Sequence, residues 1–183
     1  EEFDVLNVPY DRRINKTVEY VKILKSLWEN DPADFKGEFY SFNKVSFQPK
    51  PIQKQLPVWM GGNHERAIER SIDHADGWQP IWFSSDELEI KMKYLNEYAE
   101  KKDRDLTNFD ISLRNRIRII SKDRKDTENP PTALIGEKNE VYEKILSYTN
   151  LGIKEVVLDF ITPDKDEIIE TLEILGKELI PEL

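Results

Sequence analysis

Residues 56–78 read Leu56-Pro-Val-Trp-Met-Gly-Gly-Asn-His-Glu-Arg-Ala-Ile-Glu-Arg-Ser-Ile-Asp-His-Ala-Asp-Gly-Trp78, which predicts a strand, a glycine turn, a helix and a second strand. The apolar run at 57–60 is typical of a buried parallel strand. Gly61 and Gly62 allow the backbone to bend where a side chain would block a ligand, and Asn63 is predicted to cap the helix. The first N–H groups of a helix and its dipole favour anions. This turn therefore predicts a phosphate site, with a plain capped turn as the alternative.

Strand and helix patterns recur along the rest of the chain. The predicted strands lie near 57–60, 78–82, 110–120 and 154–161, and the predicted helices near 64–75, 86–101, 138–150 and 165–179. An amphipathic helix near 15–29 and a hairpin formed by 38–42 and 44–47 precede them. Four βα units make up half of an eightfold barrel. We therefore predict an α/β fold over residues 1–183, as one domain that forms half of a TIM barrel.

Composition excludes several classes of protein and site. The chain has 183 residues and a formal net charge of −9, which disfavours a nucleic-acid partner. No window approaches the roughly 18 apolar residues that a membrane span needs. The absence of cysteine excludes disulfides and thiolate metal sites and suits a cytoplasmic protein. The two histidines, His64 and His74, lie too far apart on one helix to share a metal ion, so no metal site is predicted.

The motifs of residues 57–78, from the proline-led strand through Gly-Gly to Ala-Asp-Gly-Trp78, resemble the luciferase-like monooxygenase family. Further matching segments are 35–42, 47–53, 134–136 and 148–160. The resemblance implies a TIM barrel that uses FMN or an 8-hydroxy-5-deazaflavin to oxidise or reduce a small organic substrate. It also implies that the chain is the carboxy-terminal half of such a barrel, with the catalytic residues in the other half, and we therefore nominate none.

Five residues are the predicted cofactor contacts. Gly61, Gly62 and Asn63 form the phosphate turn, and His64 lies beside it in the first helical turn, either touching the phosphate or simply solvated. Trp78 is the fifth. Strand alternation places it on one face with Pro80 and Trp82, either as core packing or as a wall beside the flavin or substrate.

Residues 111–120 predict a strand with one basic face. Arg114, Arg116 and Arg118 alternate with Leu113, Asn115, Ile117 and Ile119 and are expected to point into the barrel. Buried arginines are costly unless they meet carboxylates or an anionic ligand. Two accounts stay open: pairing with acids such as Glu155 or Asp159, or binding of an anionic substrate or cofactor tail.

These patterns lead to two functional hypotheses. The first is a flavin-dependent luciferase-like monooxygenase or oxidoreductase. The alternative is a non-catalytic module, derived from such a barrel, that binds a flavin phosphate or self-associates. Four parallel βα units leave open strand edges, which predicts a homo-oligomer.

Overall fold

The strands of the computed structural model, which describes residues 1–120 and 132–182, form two separate sheets. One sheet has two antiparallel strands, and the other has five strands whose pairings are all parallel. They lie in two compact units, the first made of Glu1–Val58 with Asp73–Asp76 and the second of Trp59–Ile72 with Gly77–Leu183. One domain over residues 1–183 stays a prediction.

The first unit is a long helix with a hairpin. Its elements are α1 (Glu2–Val5), α2 (Arg13–Glu29), β1 (Ala33–Lys36) and β2 (Ser41–Val45). Strand β1 pairs with β2, and Phe35 lies opposite Phe42. The predicted hairpin of 38–42 with 44–47 is therefore wrong, because residues 37–40 form the turn and 41–45 form a single strand.

A buried carboxylate explains where this hairpin turns. Glu19, only 7% exposed, accepts hydrogen bonds from the backbone N–H groups of Glu38 at 2.8 Å, Phe39 at 2.9 Å and Tyr40 at 2.6 Å. Those three N–H groups are thereby committed to the Glu19 carboxylate. Gly37 is required beside it, since a Cβ there would lie 2.4 Å from the Glu19 carboxyl carbon.

The second unit is an α/β fold with a parallel sheet. Its elements are β3 (Trp59–Gly61), α3 (Glu65–His74, of which the last two residues belong to the first unit), β4 (Gly77–Gln79), α4 (Ser85–Lys101), β5 (Asp110–Ile119), β6 (Leu134–Gly136), α5 (Lys138–Asn150), β7 (Glu155–Phe160) and α6 (Lys165–Ile174), followed by a π-helical turn (Leu175–Leu179) and a 3-10 turn (Ile180–Glu182). The strand order is β3-β4-β5-β6, and β7 also pairs with β5. The four predicted strands and helices are confirmed, with the last helix ending in the π-helical turn. Strand β6 was not predicted, because three residues are too few to show a period. The half-barrel itself stays a prediction.

The core of the second unit lies between the helices and one face of the sheet. Buried apolar side chains from α3, α4, α5 and β5 pack there, among them Ile68, Leu88, Leu95, Leu113, Ile117 and Val141. Asn115 of β5 is also fully buried, and its side-chain amide donates to the Tyr148 hydroxyl at 3.0 Å. The hydroxyl in turn donates to the Phe83 carbonyl at 2.8 Å. Since Leu113, Asn115 and Ile117 face the core, the alternate residues of β5 face the opposite side of the sheet.

The buried Tyr148 hydroxyl predicts a loss of stability in alkali. Burial raises the pKa of Tyr148 to about 12, above the ordinary value of 10.0 that applies in the unfolded chain. Its stabilising contribution is therefore complete below pH 10 and is lost as the pH rises from about 10 to 12. We expect the free energy of unfolding to fall by about 2 kcal/mol in this window, measured by urea unfolding at stepped pH.

Tyr148→Phe should reduce the slope of that loss. Tyr94 is the second contributor, because its hydrogen bond to Glu69 raises the pKa of Tyr94 to about 12. An unchanged slope in Tyr148→Phe would contradict the assignment to Tyr148.

Candidate functional site

The glycine turn lies at the carboxyl end of β3. Gly62 has a φ of +123°, which side-chain-bearing residues rarely adopt, and a Cβ there would lie 2.8 Å from the Cβ of Ala67. Helix α3 begins three residues later, at Glu65. The turn therefore brings bare backbone close to a helix amino terminus, as a phosphate cradle requires.

Contrary to the prediction, Asn63 does not cap this helix. Its side-chain amide donates to the Ile81 carbonyl at 2.8 Å, and its side-chain oxygen accepts from the Ile81 N–H at 3.0 Å. The residue directly before the helix is His64, whose carbonyl accepts from the Ala67 N–H at 2.7 Å. Asn63 is thus a clamp that joins the glycine turn to the segment after β4. Sequence periodicity carries no signal for such a pair, because Ile81 bonds through its backbone.

Trp78 supports the turn from behind. The side chain is fully buried in the core, and its indole N–H donates to the Gly62 carbonyl at 2.8 Å. A side chain without exposed surface does not touch a ligand directly. Core packing, one of the two predicted roles of Trp78, is therefore what the structure shows, and Trp78 positions the turn through Gly62.

His64 is exposed at the start of α3. The first N–H groups of any helix have no acceptor within the helix. Contact between the His64 side chain and a phosphate bound at these groups stays a prediction.

Trp82 departs from the predicted alternation. Its φ is +56°, and its side chain is 41% exposed, whereas Trp78 is fully buried in the core. The Arg116 guanidinium carbon lies 3.9 Å from the centroid of the Trp82 ring, a cation–π geometry. Alternation alone misses this contact, because one residue with positive φ breaks the two-residue period.

The three arginines of β5 lie on the face opposite the core, as predicted, and have different partners. Arg114 makes a two-point ion pair with Asp159 of β7, at 2.8 and 3.0 Å. Arg118 pairs with Glu167 of α6, and both side chains are largely buried. For these two arginines the structure favours the account of internal carboxylate pairing.

A short polar chain crosses the same face nearer the start of β5. The Gln79 side-chain amide donates to the Ser112 hydroxyl at 3.0 Å, and that hydroxyl donates to Glu155 at 3.3 Å. Glu155, the other predicted acid, thus bonds Ser112. These hydrogen bonds connect β4, β5 and β7 on this face.

Within residues 1–120 and 132–182, no group of three or more His, Asp or Glu side chains could hold a metal ion. Within the same ranges, no helix is long and apolar enough to cross a membrane.

Comparison with known proteins places this geometry in a family. The luciferase-like monooxygenase family matches residues 1–130. An uncharacterized protein of Mycobacterium tuberculosis (strain ATCC 25618 / H37Rv) is 33% identical over 104 residues, which is 55% of this chain and 35% of that protein. The FMNH(2)-dependent dimethylsulfone monooxygenase of Pseudomonas putida is 31% identical over 80 residues, which is 42% of this chain and 22% of that enzyme.

Among solved structures, an F420-dependent secondary alcohol dehydrogenase in complex with an F420-acetone adduct has a similar fold. The TM-score is 0.74 at 19% identity, over 92% of this chain and 61% of that one. The chain thus spans less than two thirds of each of these three proteins. The family match covers most of the chain, including the Gly61–Gly62 turn and strand β5. This chain belongs to the luciferase-like monooxygenase family.

Proposed function

We propose that this chain is the cofactor-binding, carboxy-terminal part of a cytoplasmic flavin-dependent monooxygenase or oxidoreductase. The observation that carries the proposal is the Gly61–Gly62 turn, where a Cβ on Gly62 would meet Ala67 at 2.8 Å and helix α3 begins beyond it. Ligand sites of barrels lie at the carboxyl ends of the strands, and late strands often hold phosphate. Backbone at Gly61, Gly62 and His64 would hold the phosphate of FMN or of a deazaflavin.

The role of the chain's own residues is to bind and orient the flavin. Asn63 clamps the turn to Ile81, and Trp78 holds the Gly62 carbonyl from the core side. When bound, the flavin supplies the hydride or oxygen chemistry, while the protein controls its position and its access to water. The substrate is proposed to be a small organic molecule that lies over the arginine-bearing face of β5.

The relatives support both cofactor types. The dimethylsulfone monooxygenase is FMNH(2)-dependent, and the secondary alcohol dehydrogenase uses the deazaflavin F420. Both cofactors carry a phosphate on the chain attached to the ring system. The phosphate turn is therefore compatible with either cofactor.

Fluorescence titration tests the cofactor site. The purified chain is titrated with FMN, with the deazaflavin and with riboflavin, which has the FMN ring but no phosphate. Tighter binding of FMN than of riboflavin by about tenfold or more is expected if the turn holds the phosphate. Equal affinity for FMN and riboflavin, or no binding of any of the three, would refute the phosphate site. A turnover assay with reduced cofactor then separates an enzyme from a non-catalytic binding module.

Self-association is the second proposal. Within residues 1–120 and 132–182, β3 pairs only with β4 and β7 only with β5, which leaves one edge of each strand without a partner. Such edges expose unpaired N–H and C=O groups and favour pairing with another chain. We expect sedimentation at micromolar concentration to show a dimer or larger species. A well-folded monomer of confirmed intact mass would overturn this expectation.

A further inference from the structure

Within residues 1–120 and 132–182, Arg116 differs from Arg114 and Arg118 in having no carboxylate partner. Asp159 lies opposite Arg116 in the strand register, yet its two oxygens bond Arg114. In the same ranges, the partner of the Arg116 guanidinium is the Trp82 ring, whose centroid lies 3.9 Å from the guanidinium carbon. The three arginines, with Asp159 and Glu167, therefore leave one positive charge uncompensated by a bonded carboxylate.

Trp82 keeps that guanidinium in place without using its hydrogen-bond donors. An aromatic ring covers a face of the planar group, so the N–H donors along its edge stay available for a two-point bond to an oxyanion. The Trp82 backbone is anchored in turn, because its N–H donates to the Arg114 carbonyl at 2.9 Å. A bulky side chain at a φ of +56° is conformationally costly, and such strain concentrates at ligand sites.

The same segment is tied to the cofactor turn. Ile81, directly before Trp82, is the residue that Asn63 clamps. Trp82 follows β4, as Gly62 follows β3, so both lie after the carboxyl ends of neighbouring parallel strands. Ligands bind at this end of parallel sheets.

We infer that Arg116, braced by Trp82, is a specificity-determining residue that binds the carboxylate or similar oxyanion of the substrate. Naming the substrate rests on the proposed function, but anion binding by Arg116 does not. Arg114 and Arg118 hold the fold together through Asp159 and Glu167. The preferred substrates therefore carry an acidic group, and a neutral analogue lacking it binds more weakly.

The test uses the full chain and a small anion probe. Benzoate, neutral benzamide and inorganic phosphate are titrated while the arginine side-chain Nε signals are followed by nitrogen-15 NMR. The Arg116 Nε signal is identified as the one missing in Arg116→Met. Benzoate should shift this signal and benzamide should not. Arg116→Met should weaken benzoate binding by about tenfold or more. Arg116→Lys, which keeps the charge but not the planar fork, should recover part of the affinity.

Arg118→Met is the matched control. It leaves Glu167 largely buried without Arg118, so it should lower the melting temperature and leave benzoate binding intact, whereas Arg116→Met should leave the melting temperature nearly unchanged. The inference is overturned if benzoate shifts no arginine signal in the parent chain, or if Arg116→Met lowers the melting temperature as far as Arg118→Met does.

Flavin titration separates this inference from the proposed function. If Arg116→Met weakens FMN but not riboflavin, Arg116 holds the cofactor phosphate, and the assignment to a substrate anion fails. If the parent chain binds no flavin while Arg116 still binds benzoate, the proposed function fails and the anion site stands.

Discussion

Replacing Glu19 by alanine is expected to lower the free energy of unfolding of the first unit by about 3–5 kcal/mol. Glu19 is 7% exposed, and its carboxylate accepts hydrogen bonds from the N–H groups of Glu38, Phe39 and Tyr40. Alanine removes the acceptor of those three donors and the packing of the Glu19 carboxyl group against Gly37. Urea unfolding followed by circular dichroism measures the loss.

Two further variants make this result specific. Glu19→Gln keeps one acceptor oxygen but places an NH₂ group against backbone donors, so it should lose a substantial part of the stability. Glu29→Ala removes an exposed carboxylate at the end of the same helix and should change stability by no more than about 0.5 kcal/mol. Equal effects at Glu19 and Glu29 would show that the buried carboxylate does not stabilise the hairpin turn.

Replacing Gly62 by valine should weaken both folding and flavin binding. The φ of +123° is strained for any side chain, and the new Cβ would lie 2.8 Å from the Cβ of Ala67. We expect a loss of about 2–4 kcal/mol in the free energy of unfolding, from backbone strain and overpacking. Flavin affinity should fall by about 1–3 kcal/mol, because the turn can no longer present its backbone to the phosphate. Unfolding curves and fluorescence titration measure the two effects.

Gly176→Ala is the control for the glycine change. A Cβ at Gly176 meets no atom within 4 Å, so alanine there should be neutral or stabilising, by up to about 1 kcal/mol, with flavin affinity unchanged. If Gly62→Val binds flavin as tightly as the parent chain does, the assignment of the cofactor site is wrong, even if stability falls.

Periodicity in the sequence predicted the second unit well. The strand–turn–helix order around Gly61 and the apolar stripes of the later helices repeat with the periods of strands and helices, and these periods are local properties. The basic face of residues 111–120 was predicted in the same way, since alternate residues of a strand always lie on opposite faces. Motifs of residues 57–78 indicated the family, which matches residues 1–130.

Three contacts could not be predicted because each joins residues far apart in sequence. Glu19 bonds the hairpin turn from α2, Asn63 bonds Ile81 instead of capping its own helix, and Trp82 contacts Arg116 instead of lying on the face of Trp78. In each case a side chain satisfies a backbone group, or a backbone torsion changes direction, at a point that only the folded chain defines.

The sequence by itself determined the order of the four predicted strand–helix pairs of the second unit, the two faces of β5 and the family, because all three depend on residue type and spacing along the chain. Only the tertiary structure decided which of the three arginines pair with a carboxylate. Asp159 lies opposite Arg116 in register but bonds Arg114, and Glu167 reaches Arg118 from α6. Such pairings depend on distances between side chains on separate elements, and distances of this kind exist only once the sheet and helices have packed.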